Sequence, residues 1–297
     1  MNNKKGAALV SICIPTFNGA QFIAEAMDSA LAQSYPNLEI VVSDDASTDA
    51  TLDIIESYRP KTDIPIYIHY HEPKGIGANW NNTIKKAKGA YIKFLFQDDV
   101  LMPNCIETMV AILEQHKNVA IVACKREFII EPSFLNAETK KWIDVYGDLQ
   151  QTLRLPVHND YCLLDKTLFK SEEFFRSPLN KIGEPSTILF RKHFIQKYGY
   201  FREDLQQILD YEFCYRVLKK HNIAILQNKL VKFRLHHQQA TVINKKRDFE
   251  DYTIYNKVIY EQYFWYLNNT MRLYFLKKYN RLVRVFFKVI KMAKNAV

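Results

Sequence analysis

Two carboxylates stand side by side at Asp98-Asp99, one residue (Gln97) beyond the apolar run Tyr91–Phe96. Adjacent acids at the end of a buried strand repel each other and lose hydration, so something positive must compensate. A hard divalent cation with oxygen ligands, itself bridging phosphates, is the common partner. A plainer alternative is a helix start, since Pro103 opens the next helix. A second pair, Asp44-Asp45, ends another apolar run, Leu38–Ser43. Two acidic pairs on one sheet edge exceed what capping alone explains. Asp210 begins an amphipathic stretch from Ile208 to His221. It reads equally as a first-turn acid or as a general base on a rigid helix end. Arg234-Leu235-His236-His237-Gln238-Gln239-Ala240-Thr241 ends the last apolar run. Arg and His there suit a phosphate or a metal, while an exposed polar loop is the competing reading. Lys74-Gly75-Ile76-Gly77 lies between a strand and a helix, but Trp80 occupies the place of a third glycine. The dinucleotide-binding fingerprint is therefore incomplete.

These residues need elements to hold them. Leu9–Pro15, Leu38–Ser43, Ile64–Tyr70, Tyr91–Phe96 and Val119–Cys124 read as strands, nearly all apolar. Between them, Ala20–Gln33, Ser47–Tyr58, Ala78–Lys88 and Pro103–His116 have helical spacing. Ser47 is expected to cap its helix, and Gly89 to end the third one. Strand alternating with helix predicts an α/β fold, an open sheet covered on both faces. Ligands in such sheets bind beyond the carboxyl ends of the strands, where both acidic pairs fall. Residues 126–180 show no clear period. Beyond them a strand (Ser186–Phe190), two helices and a strand pair (Ile223–Leu226, Lys229–Phe233) can be placed. The chain after Lys245 reads as helical.

The 297 residues are 48% hydrophobic and 25% charged, which excludes a disordered chain. No apolar run approaches the roughly 20 residues of a membrane-spanning helix. Five scattered cysteines without a C-x-x-C pair read as buried free thiols in a reducing compartment. Lys4 and Lys5 before the apolar stretch Ala7–Pro15 are not expected to form a secretory signal, because the run is short and no small-x-small cleavage site follows. The net charge is +9, and residues 245–297 hold twelve Lys/Arg against four Asp/Glu. The first 244 residues are thus close to neutral, and the basicity belongs to the C-terminal segment.

Together these segments resemble the family-2 glycosyltransferases of the GT-A fold, the inverting group that uses nucleotide-diphosphate sugars. The likeness begins with Val10-Ser11-Ile12-Cys13-Ile14-Pro15-Thr16-Phe17-Asn18 and Ile40-Val41-Val42-Ser43-Asp44-Asp45-Ala46-Ser47-Thr48-Asp49. It continues through Gly77-Ala78-Asn79-Trp80-Asn81, Ala87 to Leu95 and Gln97-Asp98-Asp99. Gly183-Glu184-Pro185-Ser186, Asp210-Tyr211-Glu212 and Arg234-x-His236-x-x-Gln239-x-Thr241 extend it. The resemblance implies a Rossmann-like open mixed sheet with helices on both faces and a C-terminal helical extension. By domain, residues 1–244 would form the transferase, with a nucleotide half at about 9–125 and an acceptor half at about 126–244. Residues 245–297 would be a basic amphipathic tail.

The same resemblance implies roles. Pro15, Thr16 and Phe17 would line the nucleoside pocket, and Asp45 would hydrogen-bond the base. Asp98 would lie near the ribose and sugar. Asp99 would bind Mn²⁺ or Mg²⁺, with His236 near the diphosphate completing the metal shell. Asp210 would match the catalytic base, and Gly183, Glu184 and Pro185 would belong to the acceptor side. Asn79-Trp80-Asn81-Asn82 lacks the arginine that many members carry there, a departure that bears on diphosphate contacts.

Lys277, Arg281, Arg284, Lys288 and Lys291 recur at four and three residues, one helical stripe, with no acid after Glu261. This predicts attachment to an anionic membrane surface, against the alternative of packing on the domain or another subunit. No nucleic-acid module is present. The expected protein is a metal-dependent inverting transferase, cytoplasmic and peripheral on the inner face of the cell membrane. Its donor would be a nucleotide-diphospho-sugar. Its acceptor would be a glycan or lipid-linked hydroxyl, in bacterial surface polysaccharide or lipopolysaccharide synthesis. The competing expectation is a catalytically silent nucleotide-binding or scaffold protein on the same fold.

Overall fold

The structure is a computed structural model that describes residues 6–239, 242 and 250–294. The first half alternates β1 (Val10–Thr16), α1 (Ile23–Leu31), β2 (Leu38–Asp44), α2 (Thr51–Glu56), β3 (Ile66–Tyr70), α3 (Ile76–Lys86), β4 (Tyr91–Phe94), β5 (Val100–Leu101), α4 (Cys105–Gln115) and β6 (Val119–Ile130). The second half holds α5 (Ala137–Tyr146), β7 (Val157–His158), β8 (Tyr161–Leu164), β9 (Ile188–Arg191), α6 (His193–Tyr198), α7 (Leu209–Leu218) and β10 (Asn222–Leu235). Three helices follow: α8 (Asp251–Val258), α9 (Asn269–Tyr279) and α10 (Arg281–Lys294).

The strands form one 10-stranded sheet in the order β3-β2-β1-β4-β9-β6-β10-β8-β7, with β5 also paired to β10. β3, β2, β1 and β4 are mutually parallel, and antiparallel β9 inserts between β4 and β6. The sheet is therefore mixed. Successive strands leave β1 on opposite sides, so the crevice beyond β1 and β4 is the topological switch point. Every residue of β1 and β2 is buried, as a sheet covered on both faces demands. Cys13 points into one core layer with Trp80, Phe94 and Phe213, while Ile12 and Ile14 point into the other with Met27 and Met109. That alternation is the period of two of an extended strand. All five cysteines are buried and unpaired.

Several local expectations need correction. Ser47 does not cap α2, whose first flanking residue is Ala50 with no side-chain cap. Its hydroxyl instead donates to Asp44 Oδ1 at 2.6 Å, which turns the chain after β2. Gly89 is not a left-handed helix terminator. Ala87 ends α3 in extended backbone, and a Cβ on Gly89 would lie 2.6 Å from the Ser11 amide nitrogen. Glycine is needed there for close approach to β1. The two strands placed at 223–226 and 229–233 are one strand, β10, with register shifts around Lys229. The basic stripe is also interrupted: Lys277 lies on α9, and Asn280 separates that helix from α10.

The C-terminal helices begin as part of the domain. Tyr255, Val258, Ile259, Tyr263, Leu267 and Phe275 are buried in the same core layer as Phe169, Phe174 and Tyr215. Full burial of a side chain the size of Phe275 is worth about 1.5–3 kcal/mol. The expected boundary at 244/245 falls outside the described residues. α10 differs from the helices before it, with Leu282 80%, Val285 52% and Phe286 61% exposed.

Candidate active site

The crevice beyond β1 is built by three loops. Gln97 binds the loop after β1 at both its polar ends: the Phe17 amide donates to Gln97 Oε1 (2.9 Å), and Gln97 Nε2 donates to the Phe17 carbonyl (3.0 Å). A side chain on Gly19 would collide with Gln97, so that glycine keeps the clasp possible. Pro15 and Thr16 are buried, while the Phe17 ring is 54% exposed. An exposed aromatic face at a switch point can stack a base.

Asp44 and Asp45 part company. Asp44 is fully buried and accepts from Thr16 Oγ1 (2.8 Å), the Ser47 amide (2.8 Å) and Ser47 Oγ. It forces a turn in which Ala46 takes φ +62°, a left-handed conformation that costs a non-glycine residue about 1 kcal/mol or more. The turn swings Asp45 outward to meet His71, with Asp45 Oδ1 2.8 Å from His71 Nδ1.

Asp98 and Asp99 divide in the opposite order. Asp99 is 1% exposed and its Oδ1 accepts the Arg234 amide (3.1 Å). Its Oδ2 is buried with no hydrogen-bond partner. Burial, then the neighbouring Asp98, pushes its carboxyl well above the usual range. Asp98 is partly exposed, and its Oδ2 lies 3.0 Å from His236 Nε2. The other ring nitrogen, His236 Nδ1, is buried and unpartnered. Arg234 braces this corner: Nε donates to the Asp98 carbonyl (3.0 Å), NH1 to Glu131 (2.7 Å) and NH2 to Glu25. Gln239 Nε2 donates to the Arg234 carbonyl. Thr241 of the same motif lies outside the described residues.

Asp210 is the second residue of α7. Oδ2 accepts from Asn180 Nδ2 (3.0 Å), and Oδ1 is buried without a partner. Burial raises its carboxyl to about 7, opposed by the Tyr211 amide and reinforced by Glu184. Glu184 is itself paired with buried Arg126 at 2.9 Å. Gly183 takes φ +150° where any side chain would strike Thr187, so a turn there delivers Glu184 and Pro185. Ser186 ties that turn to the second acidic pair, accepting the Phe96 amide at Oγ (3.0 Å) and the Lys93 ammonium at its carbonyl.

The expected site residues thus fall into two groups joined by one loop. Pro15, Thr16, Phe17 and Asp45 gather at the ends of β1 and β2, and Asp98, Asp99 and His236 beyond β4 and at the end of β10. Asp210 reaches the second group through Asn180, Glu184 and Ser186. The sequence reading missed Asn180 and Arg126, which lie in or beside the stretch without a period. It also gave no separate role to Gln97 or Lys93. The last carried a signal: a lysine inside the apolar run Tyr91–Phe96 is fully buried only if something receives its charge. Asn79, Asn81 and Asn82, where the arginine is absent, bond to the Thr16 carbonyl (3.3 Å), the Phe201 carbonyl (2.9 Å) and Ser43 Oγ (2.8 Å). They brace loops. Among the described residues, no three His, Cys, Asp or Glu side chains form a ready-made metal cage.

Comparison with known proteins places this architecture. Residues 11–199 match the family described as Glycosyl transferase family 2. An uncharacterized glycosyltransferase of Rickettsia prowazekii is 34% identical over 249 residues, covering 82% of this chain and 70% of its own. Staphylococcus aureus TarS 1–349 in complex with UDP-GlcNAc aligns with a TM-score of 0.62 at 20% identity, over 84% of this chain and 65% of that one. The mannosyltransferase PcManGT of Pyrobaculum calidifontis, in complex with GDP-Man and Mn²⁺, aligns at 0.59 and 16% identity, over 99% and 82%. The chain spans just under two thirds of the TarS structure, and at these identities the two structures speak for the fold. The sequence matches decide the family: this chain is a member of glycosyl transferase family 2, a glycosyltransferase built on the GT-A fold.

Proposed function

We propose that the protein transfers a sugar, with inversion, from a nucleoside-diphosphate donor to a hydroxyl of a glycan or lipid-linked acceptor. The observation that carries this is Asp210. It is a buried acid raised to about 7, held by Asn180 on the loop that also reaches the second acidic pair. A general base works best when its pKa lies near the working pH. In the reaction, Asp210 takes the proton of the acceptor hydroxyl as that oxygen attacks the anomeric carbon. The bond from that carbon to the diphosphate breaks on the opposite face, and the electron pair leaves with the diphosphate. Phe17 and Asp45 would hold the nucleoside. Glu184, fixed by Arg126, would shape the acceptor side with Gly183 and Pro185.

The second acidic pair suits a divalent cation, Mn²⁺ or Mg²⁺. Asp99 Oδ2 and His236 Nδ1 are buried polar atoms without partners, and Asp98 adds an accessible carboxylate. The sequence reading assigned the metal to Asp99. Exposure and the 3.0 Å contact with His236 favour Asp98 as the first donor, with Asp99 behind it. So small a protein ligand set leaves the remaining positions to phosphate oxygens, a normal arrangement for these ions. Bound there, the cation would neutralise charge on the leaving diphosphate.

The C-terminal helix supports a place at an anionic membrane surface. No helix among the described residues is long and apolar enough to cross a membrane. α10 instead exposes Leu282 and Phe286 beside the basic residues Arg281, Arg284 and Lys288. Sedimentation with phosphatidylglycerol vesicles, but not phosphatidylcholine vesicles, is expected, and a Leu282→Ser/Phe286→Ser variant should lose it. TarS is named for transfer of N-acetylglucosamine to poly(ribitol-phosphate). A surface polymer or lipid-linked glycan, in bacterial surface polysaccharide or lipopolysaccharide assembly, is the matching acceptor class here. NMR of turnover tests the chemistry: an α-linked donor should yield a β-linked product, and Asp210→Asn should lower kcat by about 10³-fold. A retained anomeric configuration, or full activity in Asp210→Asn, would remove the base from the mechanism.

A further inference from the structure

α7 carries Asp210 in its first turn, yet no side chain of its own segment caps it. A carboxylate of the C-terminal segment instead holds the three residues that lead into α7. Asp251, the first residue of α8, is 3% exposed. Its carboxylate accepts the amides of Gln206 (3.0 Å), Gln207 (2.7 Å) and Ile208 (3.3 Å). Three successive amides converging on one oxygen make an anion-binding nest, here filled by an internal anion. The same carboxylate stands at the N-terminal ends of α7 and α8, where negative charge is favoured by both helix dipoles. A second contact lies on the other side of the base. The Tyr255 ring meets the Tyr211 ring edge to face at 5.6 Å between centroids. The residues flanking Asp210 are therefore fixed by α8.

We infer that Asp251 is a positioning residue for the transfer: it sets where α7 begins and so where the Asp210 carboxylate stands relative to Asn180 and the acceptor. This rests on Asp210 being the base. Misplacement of a reacting group by about 1 Å can cost about 100-fold in rate, so a nest that fixes a helix start has kinetic weight. Donor binding should be untouched, because Phe17, Asp45 and Asp98 are held by other loops.

The test compares Asp251→Asn and Asp251→Leu in the full chain. Asparagine keeps one acceptor oxygen and leucine keeps none. Expected are kcat losses of about threefold and about 30-fold, with the calorimetric affinity for the donor nucleotide within about twofold of wild type. Each substitution is then repeated in the Asp210→Asn background, where neither should lower the residual rate further, because the group being positioned is gone. Wild-type kcat in Asp251→Leu, or the same fractional loss with and without Asp210, overturns the inference. Where Asp251→Leu no longer binds nucleotide and so has not folded, Asp251→Asn decides by the same comparison. Full activity in Asp210→Asn would instead reject the base assignment, a result separable from failure of Asp251 alone.

Discussion

β2 and β4 flank β1 on its two sides, and an Asp-Asp pair stands at the end of β2 and another in the loop after β4. In the first pair the leading acid, Asp44, is buried and the second, Asp45, turns out to a histidine. In the second pair the order reverses: Asp98 turns out to a histidine and Asp99 is buried. The buried members differ in a way that matters more. Asp44 receives donors on both oxygens from Thr16 and Ser47. Asp99 has an oxygen with none. A satisfied buried carboxylate is scaffold, whereas an unsatisfied one beside a second acid has capacity left for a cation. The same dipeptide thus builds a turn at the end of β2 and a charge-deficient corner in the loop after β4.

Substitutions can break this contrast. Of the four acids in the two pairs, Asp98 should cost the most when changed to Asn, about 100- to 1000-fold in kcat, as loss of transition-state charge stabilisation typically does. Steady-state kinetics on the variant, with Mn²⁺ titrated, measures it. Asp45→Asn should act on binding instead, raising the donor KM by about tenfold with kcat nearly unchanged. A large fall in kcat there would erase the difference between the pairs.

A sharper version concerns stability. Asp44→Asn places an amide NH₂ against donors and should destabilise the fold by about 1–3 kcal/mol. Asp99→Asn keeps the acceptor for the Arg234 amide and removes a poorly compensated buried acid, so no loss is expected. Urea unfolding of both variants distinguishes them.

The smallest effect is expected in the pH profile. Activity should fall below about pH 7 as Asp210 takes up its proton, and Asn180→Leu should move that limb to higher pH by under about one unit. The sign for stability follows from the same shift. The folded state holds this proton more tightly than the unfolded chain. Its contribution is complete below about pH 4 and lost as pH rises through about 7. Asp210→Asn should therefore be more stable than wild type at pH 8 and no more stable at pH 4, as thermal unfolding would report.

What the sequence disclosed follows from how each part is held. The first half was legible because β1, β2 and β4 are buried along their length and largely apolar. The ends of those strands located both acidic pairs. Which member of a pair faces the crevice was not legible, since that depends on turns made by Thr16, Ser47 and the Arg234 amide across the sheet. The middle stretch was opaque for a related reason. It holds short 3-10 turns pinned by single side chains such as Asp165 and Ser171, and such turns leave no period in the sequence. Asn180 and Arg126 act from within or beside that region. Helical spacing placed Asp210 on α7, but the anchor of that helix comes from Asp251, 41 residues away.

The central claim is that the second acidic pair binds a cation together with a nucleoside diphosphate. Calorimetric titration of UDP and GDP into wild type and Asp98→Asn, each with and without Mn²⁺, tests it directly. The account predicts that one nucleotide binds wild type at least about tenfold tighter with the metal, and that the advantage disappears in Asp98→Asn. Equal affinity with and without Mn²⁺, or an undiminished metal effect in the variant, would contradict it.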